Sequence, residues 1–189
     1  LVFTMPLSLI VALLVNTRLK GSGVFRTVFF LPTVISSAVA SLVFYFIFSP
    51  YNGILNSLLS AVGITNQKID WLGTKNIAML SVIMVAVWGG FGNYMVLFLS
   101  GLQSIPVELY ESGKLDGVNR WQNFVYITFP MLSPMVKVIL MLAITTALKD
   151  YQSIMVLTGG GPLGRTQVMF LYVYQLMFGN ENSTGGVQI

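Results

Sequence analysis

Any chemistry in this chain is done without histidine or cysteine, since neither occurs among its 189 residues. That excludes zinc sites of the His/Cys kind, thiol nucleophiles and imidazole bases. The Gly113-Lys114 pair is followed by Leu115, and Glu108 stands where a phosphate-binding loop needs its first glycine, so no nucleotide cradle of that type is present. No catalytic residue and no metal site is expected. Two sets of polar residues remain. One is the stretch S-I-P-V-E-L-Y-E-S-G-K-L-D-G-V-N-R-W-Q-N-F-V-Y-I-T-F-P (104–130), which holds Glu108, Glu111 and Asp116. The other is Lys149 with Asp150 at the end of an apolar run. Charges so placed suit either a polar solute or an interfacial pair closing a helix, and both readings stand.

The surroundings decide what such residues are for. Hydrophobic residues make up 55% of the chain and charged residues only 8%, against about a quarter charged in an ordinary soluble domain. No charge occurs from Thr27 to Gln67 or from Asn76 to Val107. Stretches of that kind face lipid or protein, so the chain is read as a membrane protein. The net charge of +4 comes from basic residues scattered singly between apolar runs, without the basic stripe that nucleic acid requires.

The elements that must position these residues are helices. The expectation is an all-α, polytopic helical membrane protein, with residues 1–189 forming one transmembrane domain. Spans are expected at about 1–16, 25–48, 77–102 and 131–157, joined through a cytoplasmic loop at 103–130. Leu1 already lies inside an apolar run, and 1–16 is short for a span, so the sequence reads as a piece of a longer protein. Pro32 is expected to kink the second span. Gly53–Ile64 has helical periodicity but is too short to cross, which suggests a helix lying at the outer membrane surface. Arg18, Lys20, Arg26, Lys114, Arg120 and Lys137 then fall inside, and Lys68, Lys75, Lys149 and Arg165 outside, a modest bias in favour of this orientation.

Within 104–130 the local signals describe two helices and a turn. Ser104 is a fair N-cap, Pro106 suits a first turn, and Glu108 sits near the positive end of the helix dipole. Asp116 and Gly117 interrupt that helix, and Asn119 with Gln122 can cap a second one ending at Pro130. A solvated connector needs neither paired caps nor Trp121 and Phe124, so the hairpin is read as a docking element for a partner's groove.

The run E-L-Y-E-S-G-K-L-D-G-V (108–118) with I-T-F-P (127–130) resembles the EAA coupling loop of binding-protein-dependent ABC importer permeases. The similarity is closest to the carbohydrate, maltose/glycerol-phosphate-type branch. Residues 26–49, W-L-G (71–73) and L-T-G-G-G-P (157–162) are similar to segments of the same branch. Ser112 and Gly113 stand where two alanines are usual, and Phe129 where leucine is common; Gly113 is expected to loosen the first helix by up to about 1 kcal/mol. The resemblance implies an ABC type I importer permease fold, with about four of six core spans present here. It implies that Glu108, Glu111, Gly113, Asp116, Gly117 and Pro130 couple the chain to an ATPase. The implied partners are two nucleotide-binding subunits, which bind ATP and magnesium, a second homologous permease and an extracytoplasmic solute-binding protein, in a bacterial cytoplasmic (inner) membrane. This chain itself would carry no cofactor and would not be an enzyme.

The resemblance also places a solute midway along the spans flanking the hairpin. The candidates are Trp88, Gly89, Gly90, Asn93 and Tyr94 on one side and Thr146, Ala147, Asp150, Tyr151 and Gln152 on the other. Trp88, Tyr94 and Tyr151 would stack on a sugar while Asn93, Asp150 and Gln152 bond its hydroxyls. Gly89, Gly90 and Gly92 equally suit close helix packing. Alternative functions are a permease for another small polar solute, an ATPase-independent secondary transporter using the break at 158–162, or a purely structural membrane subunit.

Overall fold

In the computed structural model, residues 1–16, 22–65 and 67–179 are described, and these are helical with connecting turns; no strand occurs among them. The basic residues Arg18 and Lys20 lie outside this set. Among the described residues ten α-helices follow one another: α1 (Thr4–Asn16), α2 (Ser22–Val34), α3 (Ser37–Ile47), α4 (Ile54–Ala61), α5 (Ile77–Gln103), α6 (Val107–Leu115), α7 (Arg120–Asn123), α8 (Phe129–Lys149), α9 (Gln152–Leu157) and α10 (Met169–Phe178). A π-helical turn, Phe124–Thr128, joins α7 to α8. Among the described residues, two helices are long and apolar enough to cross a membrane: α5, of 27 residues, and the continuous Arg120–Lys149, of 30. At 1.5 Å per residue each exceeds the roughly 30 Å of a hydrocarbon core.

Two expected spans are interrupted. The stretch 25–48 contains a break at Ile35–Ser36, between α2 and α3, rather than a kink at Pro32, which sits buried inside α2. A serine pair, Ser36-Ser37, lies at the break, and helices bend sharply at such pairs. The stretch 131–157 is likewise divided at Asp150–Tyr151 into α8 and α9.

The chain divides into two compact units. The first comprises Leu1–Ile35 with Val87–Ala147, and the second Ser36–Ala86 with the residues from Leu148 onward. In the first, Val11, Ala12 and Val15 of α1 share a core with Met95, Phe98, Leu99 and Leu102 of α5 and with Leu132, Ile139 and Ala143 of α8. The Ser8 hydroxyl bonds both the Thr4 and the Phe91 carbonyls, at 2.7 and 2.9 Å, tying α1 to α5. In the second unit, Phe48, Val82, Val85, Ile154, Leu157 and Leu171 form the core.

Candidate coupling hairpin and solute pathway

The hairpin belongs to the first unit, and its termini differ in one respect from the expectation. Ser104 does not cap α6: its hydroxyl donates to the Gly101 carbonyl at 2.8 Å and so closes α5, while the extended Pro106 precedes the first turn. Glu108 lies in that first turn and Lys114 in the last, each beside the dipole end that favours its charge. The helix ends in a Schellman motif. Val118 N–H donates to Gly113 C=O at 2.9 Å and Gly117 N–H to Lys114 C=O at 3.2 Å, with Gly117 at φ 73°. A left-handed residue is required there, which glycine supplies without penalty.

The second helix is capped as its sequence predicts. Gln122 N–H donates to Asn119 Oδ1 at 2.8 Å, and Asn119 N–H donates to Gln122 Oε1 at 2.9 Å, a reciprocal capping box. Its end is not at Pro130, as expected, because the helix continues into α8. The Phe129 amide reaches back five residues to the Phe124 carbonyl, and this widened turn precedes Pro130 directly. It relieves the clash and the missing donor by which proline normally stops a helix.

The hairpin is held closed by contacts between its own arms. Gly113 is buried, and a Cβ there would stand 3.0 Å from Ile127 Cδ1 of the π turn. The glycine expected to loosen α6 therefore also lets α6 approach that turn. Tyr110 and Thr128 hydroxyls lie 3.3 Å apart across the same seam. Outward, Leu115 is 90% exposed and Trp121 72% exposed, beside the exposed Glu108, Glu111, Asp116 and Gly117.

The candidate solute residues are divided between the units. In the first, Tyr94 is only 7% exposed and belongs to the core, so its ring is packed rather than presented. Trp88, Gly89 and Gly90 are half-buried, and Asn93, Thr146 and Ala147 are exposed. The Thr146 hydroxyl donates to its own helix at Leu142 C=O, 2.8 Å away. Glycine by glycine, the α5 stretch mixes both readings. A Cβ on Gly92 would collide with the Phe29 carbonyl of α2, whereas one on Gly89 would meet nothing within 4 Å. Gly92 is thus a packing residue and Gly89 opens onto space.

In the second unit, Asp150 Oδ1 accepts from Ser153 N–H at 3.3 Å and so serves the start of α9. Gln152 Oε1 accepts from the Ser37 hydroxyl at 3.1 Å, linking α9 to α3. The Tyr151 ring lies 4.9 Å from that of Tyr174 and 5.3 Å from that of Phe170, which ties the break to α10. Sequence reasoning missed Ser37, Thr166 and Gln175. Thr166 donates to Gly161 C=O at 2.6 Å, and Gln175 reaches Gly159 C=O at 3.4 Å, so both hold the 158–162 turn.

Fold and composition together define a polytopic helical membrane protein. Residues 4–188 match the family described as binding-protein-dependent transport system inner membrane component, and the chain belongs to that family. It is 41% identical over 172 residues to YurN of Bacillus subtilis, a probable ABC transporter permease protein, covering 90% of this chain and 59% of the relative. It is 38% identical over 172 residues to MsmF of Streptococcus mutans, a multiple sugar-binding transport system permease protein, covering 91% and 58%. Its fold is similar to that of a chain in a crystal structure of a bacterial alginate ABC transporter in complex with alginate pentasaccharide-bound periplasmic protein. That match has a TM-score of 0.80 and 28% identity, and covers 92% of this chain and 61% of the other. The chain spans about 60% of the length of these relatives.

Proposed function

We propose that this chain forms part of the translocation pathway of an ATP-driven sugar importer in a bacterial cytoplasmic membrane, and that the hairpin at 104–130 docks the ATPase. The observation that carries the reading is the hairpin's construction. Its caps and seam are satisfied internally, while Leu115, Trp121 and the acidic Glu108, Glu111 and Asp116 are turned outward. A rigid body with an apolar and charged outer surface suits insertion into a partner's groove. Membership of a binding-protein-dependent family supports an extracytoplasmic solute-binding partner, and the sugar-related relatives support the cargo class. Two nucleotide-binding subunits and a second homologous permease complete the proposed assembly.

ATP is bound and hydrolysed by the partner subunits. This chain's part is mechanical: the partner displaces α6 and α7, the π turn passes that displacement into α8, and the membrane helices alternate between outward and inward openings. Asn93 and Trp88 in the first unit, and Asp150, Tyr151 and Gln152 in the second, would each contact the passing solute. Replacement Glu111→Lys tests the docking. The expected result is loss of ATPase subunit from the purified complex and of uptake, with the permease still inserted in the membrane. Normal uptake and normal ATPase recovery would overturn the proposal.

A further inference from the structure

We infer that α4 is a lipid-contact helix, seated flat at the headgroup level of the membrane. The helix has three distinct flanks. Leu55 packs against the second unit's core, and Asn56 is bolted to the following loop: its Nδ2 donates to Pro50 C=O at 3.2 Å and Ile69 C=O at 2.9 Å, and its Oδ1 accepts from Trp71 Nε1 at 2.9 Å. A second flank carries Ile54, Leu58 and Val62, which are 60%, 57% and 72% exposed and repeat every four residues. Residues so spaced share one helix face. The third flank carries Ser57 and Ser60, both exposed.

A flank for protein, one for hydrocarbon and one for water is the arrangement of a helix lying in the membrane interface. Three observations favour lipid over a protein partner for the apolar flank. The six residues Phe48–Gly53 tether α4 to the end of α3, whose outward face bears Val39, Leu42, Val43 and Phe46, so the apolar surface of α3 leads towards it. Six residues reach at most about 20 Å. Next, α4 itself carries no charge, and the nearby Lys68 amine lies 5.3 Å over the exposed Tyr51 ring, the pairing of aromatic and basic side chains favoured at headgroup depth. Last, Ile54, Leu58, Val62, Ile64 and Tyr51 make a patch far smaller than the 20–30 or so residues a side of a stable protein interface. Lipid sets no such minimum.

Through Asn56 and Trp71, anchoring α4 fixes the depth at which the loop before α5 leaves the membrane. The Ser81 hydroxyl donates to Trp71 C=O at 2.9 Å and carries the tie into α5 itself.

The chain lacks cysteine, so Leu58→Cys, Val62→Cys and Ser60→Cys each accept one nitroxide label in the assembled transporter in liposomes, with partner cysteines replaced. Collision rates with oxygen, which concentrates in hydrocarbon, are compared with those of a water-soluble nickel chelate. Oxygen is expected to exceed nickel several-fold at positions 58 and 62, with the order reversed at 60. Nickel dominance at 58 and 62 overturns the inference, and so does protection from both reagents, which would mean that protein covers the flank. Because α4 plays no part in the proposed ATPase contact, Glu111→Lys is expected to leave these rates unchanged, and the two proposals fail separately.

Discussion

The hairpin and the α8–α9 break are both interruptions in apolar helix, yet they are built in opposite ways. At the hairpin the ties that close the two arms are internal: the Schellman bonds, the Asn119–Gln122 box and the Tyr110–Thr128 contact all join residues within 104–130. At the break, local bonds such as that from Ser153 to Asp150 are supplemented by partners far along the chain, Ser37 on α3 and the rings of Phe170 and Tyr174 on α10. A part that transmits displacement has to keep its own shape, so its ties are local. A part that responds depends on neighbours, and moving them changes it.

The strongest way to break this contrast is to overfill the hairpin seam. In Gly113→Leu the new side chain would enter the space between α6 and Ile127, where a single Cβ already stands 3.0 Å away. Overpacking of this kind costs about 1–3 kcal/mol. Faster hydrogen exchange over 107–128 and a fall in uptake are expected, while the amides of α9 and α10 keep their protection. Spread of the effect into α9 would mean that the two regions are not independent. In Gly113→Ala only the mobile end of Ile127 has to yield, and alanine's better helix propensity offsets up to about 1 kcal/mol.

A smaller effect is expected from Asn119→Ala. It removes the acceptor for Gln122 N–H while leaving the return bond, from the backbone N–H of residue 119 to Gln122 Oε1, its donor. Loss of an N-cap costs about 1 kcal/mol. The checking measurement is again exchange, now confined to the first turn of α7, together with a fall of less than about tenfold in ATPase affinity, since about 1.4 kcal/mol corresponds to a factor of ten. Unchanged exchange at Gln122 would show that the box contributes nothing to holding α7.

This contrast also explains what could be read in advance. The hairpin was legible because its determinants lie one to three residues apart: D-G for a left-handed turn and N-x-x-Q for a reciprocal cap. The continuation through Pro130 was not, since the π turn that accommodates the proline has no compositional mark in F-V-Y-I-T. Ser104 was misassigned because a serine between two helices can close the first as easily as open the second. The solute candidates were less legible still. Gly89 and Gly92 look alike in sequence, and only the approach of the Phe29 carbonyl separates them. Tyr94 is buried because the side of α5 that receives neighbours is a tertiary matter.

The finest test concerns Asp150, where the helix-ending and solute-binding readings meet. Its Oδ1 accepts the Ser153 amide, a contact that Asp150→Asn preserves and Asp150→Ala removes. On the structural side, Ala is expected to cost about 1 kcal/mol by the usual value of a lost cap, and Asn close to nothing. On the solute side, a carboxylate accepts hydroxyl hydrogens more strongly than an amide oxygen does, so both variants are expected to raise the KM for sugar several-fold with ATPase association intact. Thermal unfolding of the purified complex reads the first term and uptake kinetics the second. A KM unchanged in both variants, with stability lost only in Ala, would make Asp150 a cap and nothing more. A raised KM in Asn at full stability would place its charge on the solute path, and the break would then resemble the hairpin in facing a partner, but a transient one.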